Sequence, residues 1–164
     1  MSVTADYSFF VKAVETVALG IDGVTNPDVE FSISGLQGRL TGSTTVPVTK
    51  SWKDQIQLSA GAATLDLTAL ANGNLPNVTF SGLKVQLVAL FAAVLNTAAV
   101  VVDVGSSNGY YLFGDANGQV TIPAGGCAAF YCAEGLPDVG SGAKALAFSS
   151  SDVDSIIDVL LVAG

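Results

Sequence analysis

Val46-Pro47-Val48-Thr49-Lys50-Ser51-Trp52-Lys53-Asp54-Gln55-Ile56-Gln57-Leu58 is the stretch that decides the fold class. Val46, Val48, Trp52, Ile56 and Leu58 share one parity, while Thr49, Ser51, Lys53, Gln55 and Gln57 hold the other. Side chains alternate across a strand, so this period of two describes a long half-exposed strand, with an irregularity near Lys50–Asp54. Upstream, Val29, Phe31 and Ile33 alternate with Glu30, Ser32 and Ser34 until Gly35 breaks the phase as a bulge would. Downstream, Ala63 to Leu67 continues the series after the turn signal Ala60-Gly61. The segment Ala71-Asn72-Gly73-Asn74-Leu75-Pro76-Asn77 reads as a connection that crosses from one sheet to the other.

Further along, Leu83 to Leu95 and Ala98 to Val104 are apolar at both parities, which for strands means burial on both faces. A single sandwich buries one face of each sheet, so the second apolar face needs a helix, an arm or another subunit over it. Val85 to Leu95 also admits a helix, since Ala, Leu and Gln are good helix formers. Tyr110–Phe113, Gln119–Ile122, Cys127–Ala133, Ala145–Phe148 and Ser155–Val162 complete the strands. They are separated by turn signals at Asp22-Gly23, Asn26-Pro27, Gly42-Ser43, Asn72-Gly73, Gly105-Ser106, Asn108-Gly109, Asn117-Gly118, Gly125-Gly126 and Gly140-Ser141-Gly142. The expected fold is all-β: an antiparallel two-sheet jelly-roll sandwich of about eight strands over residues 28–164. Residues 1–27 are read as an N-terminal arm or edge element. There Phe9, Phe10, Ala13, Val14, Val17 and Ile21 also fit helical spacing, against which stand the β-branched content and the lack of a good cap.

Composition narrows the function. The 164 residues are 50% hydrophobic and 12% charged, about half the charge usual for a soluble domain, so much of the surface is uncharged or covered by a partner. The chain has no histidine, which removes the commonest general base, the Ser-His and Cys-His pairs and most zinc sites. Six Lys+Arg against 14 Asp+Glu give a net charge of −8, and no Lys or Arg occurs from Val85 to Ala143, a distribution that repels phosphate backbones. No nucleic-acid partner is expected. The apolar run Leu87–Val102 is broken by Asn96-Thr97 and falls short of the roughly 20 residues of a membrane helix, so no membrane span is expected. The opening Met1-Ser2-Val3-Thr4-Ala5-Asp6 lacks the basic and apolar segments of a secretory signal, which places the chain in the cytosol when made. Cys127 and Cys132 would stand roughly 17 Å apart on one strand, too far to bridge, and are read as free thiols acting as small core residues.

Each motif with a chemical reading also has a plainer one. Gly105-Ser106-Ser107-Asn108-Gly109 matches a nucleophile elbow without its strand-to-helix context or its histidine, and reads as a hairpin connection. Ser141-Gly142-Ala143-Lys144 matches S-x-x-K, and with Gly140 and Ala145 a dinucleotide turn, yet lies in a Gly-rich loop. Asp115-Ala116-Asn117-Gly118 lacks the bidentate glutamate of a calcium loop and is explained as an Asx turn. Asp152 and Asp154 read as a charged turn, and Asp158 as an edge-strand charge. Glu15, Glu30 and Glu134 are the only glutamates, and none forms an evident carboxylate pair for glycoside hydrolysis. Asn77-Val78-Thr79 matches an N-glycosylation acceptor. Trp52, Tyr110, Tyr111 and Phe113 are the aromatics from which a sugar-stacking platform could be built. No catalytic residue, cofactor site or metal site is assigned.

Val46-Pro47-Val48-Thr49-Lys50-Ser51-Trp52, Leu65-Asp66-Leu67, Phe80 with Leu83-Lys84-Val85, the Gly105–Gly109 turn, Pro123-Ala124-Gly125-Gly126 and the terminal Leu160-Leu161-Val162-Ala163-Gly164 form a layout. It resembles the small jelly-roll structural proteins of tailed bacteriophages, over roughly Val46 to Gly164. The resemblance implies a non-enzymatic virion component: a capsid decoration or cement protein, or a head-fibre or tail-associated module. Its partners would be itself, as a homo-oligomer with a trimer favoured, and other virion proteins. A carbohydrate- or receptor-binding β-sandwich module is the alternative, with a glycan as partner.

Overall fold

The strand around Trp52 forms over Lys50–Gln57 rather than Val46–Leu58, and it pairs with Ile156–Ala163 in unbroken register, so the irregularity expected near Lys50–Asp54 is absent. The computed structural model describes residues 3–16, 28–72, 75–104, 107–115, 117–134 and 136–164, with the backbone alone at 10–13, 15–16, 28–36, 72 and 75–76. Asp22-Gly23, Asn26-Pro27, Val17, Ile21, Gly73, Asn74, Gly105, Ser106 and Ala116, which carried sequence expectations, lie outside the described residues.

The strands are β1 (Ala5–Thr16), β2 (Asp28–Leu40), β3 (Lys50–Gln57), β4 (Ala62–Asp66), β5 (Leu70–Asn72), β6 (Leu75–Val78), β7 (Val85–Ala92), β8 (Val100–Asp103), β9 (Gln119–Ile122), β10 (Cys127–Tyr131), β11 (Ala145–Ser149) and β12 (Ile156–Ala163). Two four-stranded sheets run β10-β7-β12-β3 and β4-β11-β8-β9. The antiparallel pairs nest in sequence: β8 with β9, β7 with β10, β4 with β11, β3 with β12. The chain from β3 to β12 is thus a ribbon folded back on itself and rolled so that its successive pairs alternate between the sheets, which is the jelly roll. No helix among the described residues is long and apolar enough to cross a membrane.

Several elements differ from the sequence reading. Val85–Ala92 is a strand, which sets aside the helix, because β10 and β12 flank it on both sides and satisfy its backbone groups. Phe9–Val14 likewise lie in strand β1, which pairs with β2 in a separate two-stranded sheet. Between Phe9–Leu36 and Val11–Ile33 that register slips by one residue at Ser34-Gly35, the bulge that Gly35 signals. Tyr110–Phe113 is not a strand: Leu112 N–H bonds Tyr110 O and Gly114 N–H bonds Tyr111 O, so a local turn, rather than a ladder, buries Tyr110 and Leu112. The chain around Ala71–Asn77 connects the two sheets as expected, and the β5–β6 pair, closed by Leu70 opposite Val78, frames that segment.

One core fills the space between the sheets. Trp52, Val88, Leu90, Ala92, Ile157, Val159 and Leu161 enter from one side, Val100, Val102, Ile122, Leu146 and Phe148 from the other, and Leu58, Leu67, Leu70, Phe80 and Tyr110 close its ends. Each such large side chain contributes roughly 1.5–3 kcal/mol by leaving water. The turn between β3 and β4 holds Ala60 at φ 53° and Gly61 at φ 78°, with Ser59 and Ala62 exchanging both hydrogen bonds, the two-residue primed hairpin. A Cβ at Gly61 would stand 2.5 Å from Ser150 O, so glycine is required there by contact as well as by φ. Asn96 and Thr97, which interrupt the apolar run, tie the β7–β8 connection to the start of β12. The Asn96 side chain exchanges two hydrogen bonds with the Ile156 backbone (2.8 and 2.9 Å), and Thr97 N–H donates to Asp152 (2.9 Å).

Candidate interaction surface

The sheet β10-β7-β12-β3 has two apolar faces, and the register shows how. Inward go Val88, Leu90 and Ala92 of β7 and Ile157, Val159 and Leu161 of β12. Outward, cross-strand neighbours form successive rungs: Tyr131–Leu87–Val162–Ser51, then Ala129–Ala89–Leu160–Lys53, then Cys127–Phe91–Asp158–Gln55. Cross-strand neighbours lie close enough to act as one surface.

The first rung is covered. Leu87 (6% exposed) and Val162 (2%) join Leu40 and Val48 in a second apolar cluster, onto which Val3, Ala5, Tyr7, Phe9 and Tyr131 pack. Tyr7 stacks on Tyr131 with ring centroids 4.3 Å apart. Tyr7 and Phe9 belong to β1, so the base of the β1–β2 ribbon supplies part of the cover that the two-sided apolar strands require. Its opposite face is polar, with Arg39 in a fork on Asp6 (2.6 and 3.2 Å), which holds the Asp6 carboxyl below its ordinary pKa.

The next two rungs are open. A groove of ≈ 380 Å³ runs over them, lined by Ala89, Phe91, Cys127, Ala129 and Leu160 and flanked by Lys53 and Asp158. Phe91 is 42% exposed. Phe91 stands near the end of central strand β7, between Cys127 and Asp158, and leaves an apolar ring open to water on this face. No sequence motif singled this groove out; the signal was the double parity of Leu83–Leu95, which gave the face but not which part of it is left uncovered.

The residues with possible chemistry are accounted for differently. Trp52 (4% exposed) donates its indole N–H to Ala71 O, and Tyr110 (0%) is inside the core. Tyr110 Oη donates to Pro137 O (2.8 Å) and accepts from Val85 N–H (3.3 Å), and burial pushes its pKa up to about 12. A sugar platform needs exposed ring faces, so neither residue can belong to one; of the four aromatics, Tyr111 is 44% exposed, and Phe113 packs edge-on to Phe130 at 5.0 Å. Lys144 pairs with Asp66 at 2.6 Å instead of reaching Ser141, whose segment closes as a turn through Gly140 and Ala143. Asp66 also accepts from Thr68, and the two neighbours hold its carboxyl below the ordinary carboxylate range. The aspartate of Leu65-Asp66-Leu67 thus clamps β4 to the strand before which Lys144 stands.

Asp115 Oδ1 accepts from Asn117 N–H (2.8 Å), the Asx turn expected there. Asp152 accepts backbone N–H groups from Thr97 and Asp154, which lower its pKa. Asp158 is not an edge charge, because β12 is a central strand; it lies on the outward face and accepts from Gln55 (3.3 Å). The inward-parity charge on an edge strand is Asp54 of β3, between Trp52 and Ile56, a device that blocks further strand pairing. Cys127 and Cys132 are not bridged, and they are not core residues: Cys127 is exposed at the groove and Cys132 half-buried. Among the described residues no group of three or more Cys, Asp or Glu could hold a metal ion.

No protein-family model and no curated protein matches the chain. Among solved structures, a chain from the X-ray structure of tomato aspermy virus is similar to it with a TM-score of 0.42 and 14% identity, over 76% of this chain and 82% of that one. The jelly roll is identified by its own strand order, β10-β7-β12-β3 over β4-β11-β8-β9.

Proposed function

We propose that this protein is a non-enzymatic structural subunit of a virion that assembles with copies of itself and with other virion proteins through the outward face of β10-β7-β12-β3. The observation that carries the reading is the open groove around Phe91 on a sheet whose other face is already core. A subunit destined for assembly keeps such a surface, and the net charge of −8 keeps the free chain soluble until it is covered. Of the virion roles, a capsid decoration or cement protein of the tailed-bacteriophage type, made in the host cytoplasm and trimeric, agrees with the pattern from Val46 to Gly164. In that pattern the terminal glycine has a physical reason: Gly164 bonds the Lys84 backbone in both directions, and a Cβ there would overlap the Pro47 carbonyl.

The test is the absolute mass of the purified chain by light scattering over a dilution series, followed by co-sedimentation with viral particles. A stable oligomer that joins particles is the expected result. A monomer at every concentration that never associates with particles would overturn the proposal.

A further inference from the structure

We infer that the cavity at the Gln86 bulge of β7 binds an uncharged apolar small molecule carrying one O–H or N–H donor, with Gln86 Oε1 as the acceptor for that donor. The inference goes beyond the assembly reading and does not depend on it: inward-facing Val88 and Phe130 wall this cavity, whereas the Phe91 groove lies on the outward face.

A bulge makes the site. Leu87 stands opposite Val162 and Val85 opposite Ala163, so Gln86 is the extra residue of β7. Its carbonyl accepts from Cys132 N–H, and the neighbouring Val85 carbonyl accepts from Leu136 N–H, both at 2.9 Å. The chain that follows β10 therefore parts from β7 at Cys132 and rejoins it at Leu136. At this parting opens a cavity of ≈ 470 Å³, walled by Val88, Leu112, Phe113, Phe130 and Leu136. That volume falls among those of small-molecule sites, roughly 300–1,000 Å³.

Gln86 supplies the polar anchor. It is 2% exposed, and two residues before inward-facing Val88 it turns to the same side of the strand. Its Nε2 donates to Val46 O (3.1 Å), which fixes the amide, because the reverse orientation would set two acceptors against each other. Oε1 is left as a buried acceptor without a hydrogen-bond partner among the described residues. Native structures keep few such atoms, because an unpaired buried acceptor is costly. A water there would need about two to four polar partners, and the walls named above are carbon. An apolar body with a single donor meets both the walls and Oε1. No charged side chain lines the cavity among the described residues, and nearby Lys84 is engaged by Asp138 (3.2 Å), so an anionic head finds no counter-charge.

The probe is octan-1-ol, titrated into the whole nitrogen-15-labelled chain and followed by NMR, with octyl methyl ether as its counterpart lacking a donor and octanoate as its anionic one. The expected result is that octan-1-ol shifts the Gln86 side-chain amide and the Leu112 and Leu136 signals. It binds about 5-fold or more tightly than the ether, the order of one hydrogen bond, and more tightly still than octanoate at neutral pH. In Gln86→Met, close in length but without the acceptor, the preference for alcohol over ether disappears. Leu136→Trp, which fills the cavity from a half-buried wall position, abolishes binding and carries the test if Gln86→Met does not fold. Shifts confined to Ala89, Phe91 and Leu160 would put the alcohol in the outward groove and overturn the proposal. Equal affinity for alcohol and ether, tighter binding of octanoate, a preference that persists in Gln86→Met, or no binding of octan-1-ol up to its solubility limit would each overturn it too. All of these outcomes leave the assembly reading to its own test.

Discussion

On the outward side of β4-β11-β8-β9 the rungs read Thr64–Ala147–Asp103–Gln119 and Ala62–Ser149–Val101–Thr121, whereas on β10-β7-β12-β3 they read Tyr131–Leu87–Val162–Ser51 and Ala129–Ala89–Leu160–Lys53. Both sheets have four strands and feed one core, yet the first offers water small and polar side chains while the second offers Leu, Val and aromatic ones. Burial on both faces is thus a property of one sheet and not of the fold. The ribbon base covers one end of that sheet, and the rungs around Ala89 and Phe91 stay open.

The shared core sets the largest effect. Phe148→Ala removes a ring packed between both sheets and is expected to cost about 3–5 kcal/mol, read by denaturant unfolding. A loss below about 1 kcal/mol would mean that the sheets do not share a core.

Two outward positions, one on each sheet, should respond unequally to truncation. Leu87→Ala, beneath the ribbon, is expected to cost about 2–3 kcal/mol, while Val101→Ala on the other sheet costs under about 1 kcal/mol. Equal losses would erase the distinction between the two faces.

Tyr110 straps the two halves, since it follows β8 in one sheet and bonds the first residue of β7 in the other. Tyr110→Phe leaves the Pro137 carbonyl and the Val85 N–H without that partner, for an expected loss of about 1–3 kcal/mol in the same assay.

Smaller effects are expected at the turns. Ala60 sits in the left-handed region, where a Cβ is penalised, so Ala60→Gly is expected to stabilise by roughly 0.5–1 kcal/mol, after allowance for glycine's greater freedom when unfolded. A thermal melt that moves down instead would place the β3–β4 turn in another conformation.

The Asp66–Lys144 pair closes the polar sheet and is partly exposed, so solvent screening holds it to about 0.2–1 kcal/mol. Asp66 has a lowered pKa in the folded chain, so its contribution is complete above the ordinary value of 3.8 and is lost as pH falls through the lower folded value. Asp66→Asn should therefore be less stable than wild type at neutral pH, with the gap closing in acid. A gap that widens in acid would reverse the assignment.

The features legible from residue order alone are local. The alternation around Trp52 and around Phe31, the bulge at Gly35, the Asx turn at Asp115 and the excess of apolar parity from Leu83 to Val104 are all visible without coordinates, because strand pleat and turn chemistry act over a few residues. Pairing over long separations emerges only once the chain is folded. Period two assigns two faces to a strand without naming its neighbours, so Asp158 read as an edge charge until β12 proved central. Tyr110 likewise read as a strand residue available to a sugar platform until a turn folded it into the core. The same limit hid the groove: Leu87 and Phe91 have equal parity and similar character, and only the seat of Tyr7 and Phe9 over one end of the sheet makes the first core and leaves the second facing outward.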